Sequence, residues 1–176
     1  MKHFFAALFG ALLLGVAPAH DGAHDFDFQI GMWNVDISKL VHNSDGTKTW
    51  IKLHGTHGVQ ALWGGRANIG VLEIDGPQGH FEGMQLRLYN PHTHQWALSF
   101  ASSRSGVLGA PSIGGFAGGH GEFLDTETEN GHTVLSRSIT RDITARSYTD
   151  EAAASSDGGK TWEVNWIAHY TKAKGL

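Results

Sequence analysis

The chain has no cysteine in 176 residues. That excludes a disulfide, a thiolate nucleophile, a Cys-ligated metal and a lipid-anchored N-terminal cysteine, so the core alone must hold the fold. A block of basic residues is also missing. Thirteen Lys and Arg stand against 17 Asp and Glu, which is a poor footprint for nucleic acid or an anionic membrane surface. There is no repeat of solenoid length, no sustained helical period and no Gly-x-x-x-x-Gly-Lys-Ser/Thr loop for a nucleotide phosphate.

The one long apolar run lies at the start. Lys2 gives a positive n-region, residues 4–16 form an apolar stretch too short for a comfortable membrane span, and Ala17-Pro18-Ala19 is a small-x-small cleavage pattern. The expectation is a signal peptide over 1–19, a periplasmic or secreted protein, and no integral membrane span after processing. Cutting after Ala19 leaves 157 residues with 12 basic and 17 acidic side chains, a formal charge of −5. That length suits one domain with a sizeable core. Residues 20–25 read as a loose mature terminus and 26–174 as the domain.

The domain reads as strands and turns. Trp33, Val35 and Ile37 alternate with Asn34, Asp36 and Ser38, the period of a half-buried strand. Further strand-like runs cover 49–54, 59–63, 67–74, 80–89, 95–102, 119–126, 132–140, 146–154 and 162–171. Asn43-Ser44-Asp45-Gly46, Asp75-Gly76-Pro77, Asn90-Pro91, Asn130-Gly131 and Asp157-Gly158-Gly159 separate them with turn chemistry. About ten evenly spaced strands without helices predict an all-β, single antiparallel up-and-down barrel, with closure removing the exposed edges. Ser155-x-Asp157-x-Gly159-x-Thr161-Trp162 matches an Asp-box hairpin, a folding device whose Trp is expected to pack beneath the turn. Residues 43–50 are a weaker version.

Phe26-Asp27-Phe28-Gln29-Ile30-Gly31-Met32-Trp33, the central run from Gly79 to Pro91 followed by Gln95-Trp96, and the closing hairpin 155–162 resemble an exported bacterial family of unknown function with a lipocalin-like (calycin) barrel. The resemblance covers nearly the whole mature chain and implies that fold. By analogy with ligand-carrying calycins it implies binding of a small molecule. Gly31-Met32-Trp33 and His169 also echo haem-binding barrels of the nitrobindin type, without their fuller glycine-rich N-terminal motif.

Eleven histidines fall after the signal segment. His92 and His94 have the spacing of zinc ligands, but they follow Asn90-Pro91 in a turn and read as polar loop residues. His54 and His57 are three apart, which a strand does not align. No metal site is expected, and no cofactor, with haem held as an alternative. Seven glycines in 105–121 mark a long loop, either floppy or a lid. Ala110-Pro111-Ser112-Ile113-Gly114 half-resembles a nucleophile elbow but lacks its strand-turn-helix setting.

Polar residues share faces on several strands. Gln85, Arg87 and Tyr89 alternate with Met84, Leu86 and Leu88. Arg146, Tyr148 and Asp150 fall together, and Glu163, Asn165 and His169 oppose Trp162, Val164, Trp166, Ala168 and Tyr170. Outward is the default for the polar face of an antiparallel sheet. Turned inward, these faces make a pocket with Arg87 as anion anchor and His169 as donor or base. On that reading Arg87, Tyr89, Asn165 and His169 converge, with Trp33 and Trp63 as apolar wall. The leading expectation is a non-catalytic carrier of a small hydrophobic or amphipathic ligand, one with an acidic group. The alternatives are a calycin-type enzyme working through Arg87, Glu163 and His169, a haem or metal barrel, and a filled-core structural protein.

Overall fold

The computed structural model describes residues 21–129 and 131–174. The expected signal peptide, its cleavage site and Asn130 lie outside them. Ten strands follow one another: β1 Gly31–His42, β2 Lys48–Leu62, β3 Ala67–Gly76, β4 Gly79–Asn90, β5 Gln95–Ser102, β6 Ser112–Ala117, β7 His120–Glu129, β8 His132–Arg141, β9 Ser147–Ser155 and β10 Glu163–Lys172. Each pairs antiparallel with its neighbours in sequence, and β1 pairs with β10, so the sheet closes into one up-and-down barrel. Among the described residues no helix is long and apolar enough to cross a membrane.

The alternation in β1 works as its sequence implies. Trp33, Val35 and Ile37 are buried inside while Asn34 and Asp36 face out. They join Leu72, Ile74, Tyr148, Ala168 and Tyr170 in one apolar cluster. A second cluster of Phe26, Trp96, Leu98 and Phe123 lies toward the end where the chain enters. A single-turn 3-10 helix, Asp27–Gln29, precedes β1 at that end. Trp33 Nε1 donates to Gln29 O at 2.6 Å, and Lys172 Nζ sits 4.3 Å over the Trp33 ring while donating to Ile30 O at 2.5 Å. Residues 21–25, expected to be loose, make defined contacts instead. Ala23 is buried, and Trp96 Nε1 donates to Gly22 O at 2.9 Å.

Two expectations about strands fail in opposite directions, leaving the total at ten. The runs 49–54 and 59–63 are one strand, β2, whose ladder continues unbroken through Gly55 and Gly58. The glycine-rich stretch read as a loop or lid contains β6 and the start of β7. In both places glycine serves close backbone approach. A Cβ at Gly55 would stand 1.9 Å from Glu73 O, and one at Gly114 would stand 1.8 Å from Glu122 O. Glycine in a strand reads as a turn only when such an approach goes unseen.

The Asp box forms as its sequence specifies. Asp157 Oδ1 accepts from Ser155 Oγ and from the amides of Lys160 and Thr161, and Asp157 Oδ2 accepts from Thr161 Oγ1. These bonds, led by the Thr161 amide, hold the Asp157 carboxyl down to about 2. Trp162 lies against the turn, where a Cβ at Gly159 would stand 3.7 Å from its Cζ2, but it is only half-buried there, with the Arg137 guanidinium 4.3 Å over its ring. At the weaker copy Asp45 Oδ1 accepts only from the amide and hydroxyl of Thr47, two residues on, and Trp50 is 44% exposed.

Candidate ligand-binding site

The barrel encloses a cavity of about 790 Å³. Leu53, Leu72, Ile74, Phe81, Leu98 and Val134 supply apolar wall. The hairpin connections at 77–78 and 103–111 border its mouth, through Gln78, Arg104, Gly109 and Ala110. The far end is closed by Phe26, whose ring meets Trp96 and Phe116 edge-on at 5.0 and 4.9 Å. The opposite wall is more polar, with Ser112, Asp125, Ser136, Ser138 and Thr140 along β6 to β8, and a chamber that joins apolar wall to placed polar groups is the usual build of a small-molecule site.

Further polar groups gather above Phe26. Arg87 is 1% exposed. Its Nη1 donates to Asn68 Oδ1 at 2.8 Å, its Nη2 donates to Gln85 Oε1, and its guanidinium lies 5.0 Å from the Phe26 centroid. Both hydrogen-bond partners are neutral amides, and Arg87 Nε has no partner among the described residues. Burial lowers its pKa, but a guanidinium starts high enough to stay charged.

Around it stand His57, Tyr148, Asp150 and Tyr170. Tyr148 stacks on Tyr170 at 4.2 Å, and its hydroxyl lies 3.2 Å from His57 Nδ1, donating or accepting with the tautomer. Burial, then the Arg87 charge, pushes the His57 imidazole down to about 3, so it is neutral at pH 7. Burial raises both phenols far above the ordinary range. Thr140 Oγ1 donates to Asp150 Oδ1 at 2.6 Å. Burial pushes the Asp150 carboxyl up to about 6, against the opposing pulls of Thr140 and Arg87.

The six residues picked from sequence separate. Arg87 and Asn165 face the cavity. Trp33 is fully buried beside it, edge-on to Tyr148 at 4.9 Å, and supports the wall from the core. Tyr89 lies one step nearer the closed end, against Trp96, with its hydroxyl 3.0 Å from His94 Nδ1. Trp63 is 68% exposed, in a turn after β2 where its backbone takes φ +51°. His169 faces solvent, 3.2 Å from Thr149 Oγ1.

The cause of the last displacement is a β-bulge. The register slips between Val164 and Trp166, and one extra residue inverts the alternation after it. Trp166 and Tyr170 therefore turn inward with Asn165, and His169 turns out. The same slip dissolves the enzyme set of Arg87, Glu163 and His169, since it puts Glu163 and His169 out of phase. Glu163 sits at the start of β10 at the rim, tied to Lys48, with His42 3.4 Å away. It also puts the histidine behind the haem comparison on the outer face.

His57, Asp150 and Tyr170 are not among the site residues that the sequence pattern singles out. Asp150 was visible as the partner of Tyr148 in period two. His57 was masked by the glycines on either side of it, and Tyr170 by the bulge.

No family model matches the sequence, and no curated protein does. Among solved structures, the S-type phycobiliprotein lyase CPES from Guillardia theta is similar, with TM-score 0.54 and 11% identity over 86% of this chain and 92% of that one. The likeness is one of fold alone. EF1p2_mFAP2b bound to DFHBI aligns over 86% of this chain and 99% of that one, at 9% identity and TM-score 0.46.

Proposed function

We propose that this barrel binds a small, largely apolar molecule whose acidic group pairs with Arg87. The observation that carries the reading is a buried guanidinium at the bottom of the chamber, hydrogen-bonded among the described residues only to neutral amides. A buried charge without a contact counter-charge is costly, and an incoming carboxylate would relieve it through charge-assisted bonds. Gln85 Oε1 already occupies one of the positions such a carboxylate oxygen would take. The N-terminal pattern of residues 1–19 supports export as part of the same reading. An intact mass beginning at His20 in the host would support it, and Met1 retained in a membrane fraction would refute it.

The binding test is calorimetric titration with decanoate and decanol. Arg87→Gln should weaken decanoate by roughly 10- to 100-fold, the worth of a hydrogen bond to a charged group, and leave decanol nearly unchanged. Gln85→Glu keeps Arg87 and offers it an internal carboxylate, so it should exclude decanoate and spare decanol. Equal losses for both probes, or no binding of either, would reject the anion anchor.

A further inference from the structure

The cavity is lined by further charged groups that the anion reading leaves unused, Asp125 on β7 and Asp150 on β9 among them, and Asp150 is the one set beside the polar floor around Arg87. Asp150 lines the same chamber as Arg87. In the closed strand order, β4 and β9 are five steps apart by either route, so the two residues project from opposite walls. Gln85 and Asp150 each sit one inward step toward the mouth, above Arg87 and Tyr148 respectively. Each charge is felt by the other, but the two are not in contact as an ion pair. Between them the floor is set by the Tyr148–Tyr170 stack and His57. One Asp150 oxygen is taken by Thr140, and the residue is only partly buried because it borders the cavity.

A plain carboxylate on Arg87 would face a second negative charge across the chamber. A head group with a hydrogen-bond donor on its far side would meet both walls. We propose that the ligand carries a polar head with two functions, an acid for Arg87 and a hydroxyl donor a few bonds away for Asp150, with its apolar tail directed toward the mouth. This rests on the anion reading of Arg87. It narrows the ligand from acidic amphiphiles in general to hydroxy acids. The tail direction follows from the β3 and β4 side of the chamber, where Leu72, Ile74 and Phe81 continue upward from the polar end, across from the more polar wall of β7 and β8.

The test compares decanoate, 2-hydroxydecanoate and 3-hydroxydecanoate by titration calorimetry on the whole chain at pH 7.5, where Asp150 is ionised. At least one hydroxy acid should bind about tenfold more tightly than decanoate, the size of one charge-assisted bond. Asp150→Ala should erase that preference and leave decanoate bound as well or better, since a repelling charge has gone. Asp150→Asn keeps the shape and the Thr140 contact, and covers the case where the alanine variant does not fold. It should reduce the preference to within about threefold. If both hydroxy acids bind no better than decanoate, or if the preference survives both substitutions, the two-function head is overturned. Decanoate binding that still depends on Arg87 in that case leaves the anion anchor standing, and loss of all binding removes both.

Discussion

Gly70 is side-chain-free because His57 fills its place. A Cβ on Gly70 would stand 2.5 Å from His57 Nε2 and 3.3 Å from Arg87 Nη1. Two polar groups from neighbouring strands are thereby seated on one bare stretch of β3.

Gly70→Ala should therefore act on the site through packing. The added methyl has to move the imidazole, the guanidinium or both, at about 1–3 kcal/mol as for overpacking generally. Urea denaturation reads the stability loss, and decanoate titration reads the displaced Arg87. Combining it with His57→Ala makes room for the methyl, so the double variant should lose less than the sum of the two. Strict additivity would show that Gly70 and His57 do not share that space.

Asp150 gives a pH signature. In the folded chain it keeps its proton up to about 6, against 3.8 for the free side chain. The folded state binds more protons between those values, so stability falls as pH rises through that window. Asp150→Asn should be more stable than the parent by about 3 kcal/mol at pH 7.5, and the advantage should vanish near pH 3.5. His57 runs the other way. It is neutral when folded down to about 3 and protonates from 6.5 when unfolded, so its contribution falls as pH drops from 6.5 toward 3. The two slopes oppose each other between pH 4 and 6, and removing Asp150 should uncover the acid-side decline. Urea midpoints across pH 3.5–7.5 would show it. A difference that does not change with pH would mean that Asp150 is not desolvated.

The two tryptophans of the end hairpin and the first strand should differ in weight. Trp33 is fully buried, hydrogen-bonded through Nε1 and covered by Lys172. Trp33→Ala should cost about 3–5 kcal/mol. Trp162 is half-buried and mainly carries the Arg137 cation, so Trp162→Ala should cost about 1–2 kcal/mol. Thermal melting of both variants ranks them, and an equal drop would place Trp162 in the core.

What could be read from sequence was what is local. The period of Trp33, Val35 and Ile37 and the internal bonding of Asp157 depend on residues close in the chain, and both are in the structure as read. The inward turn of Arg87 is the less usual of the two orientations its strand allows, because alternation gives two faces without saying which is inside. Asn165 faces the cavity and His169 does not, since nothing in the residues between them marks the extra position at the bulge. The facing of Arg87 by Asp150 depends on ring closure, and no spacing in the chain encodes it.

Closure also sets an order of events in folding. The ladder between β1 and β10 joins Trp33 to Lys172, contacts separated by almost the whole domain, while every other ladder joins strands adjacent in sequence. Hairpins can form early and locally, but the seam has to wait for the last strand, and such distant contacts slow the search. A chain that ends before β10 would expose the unpaired edges of β1 and β9 together, each an open template for another copy. A nascent or truncated chain is thus exposed to self-association until its final ten-residue strand docks.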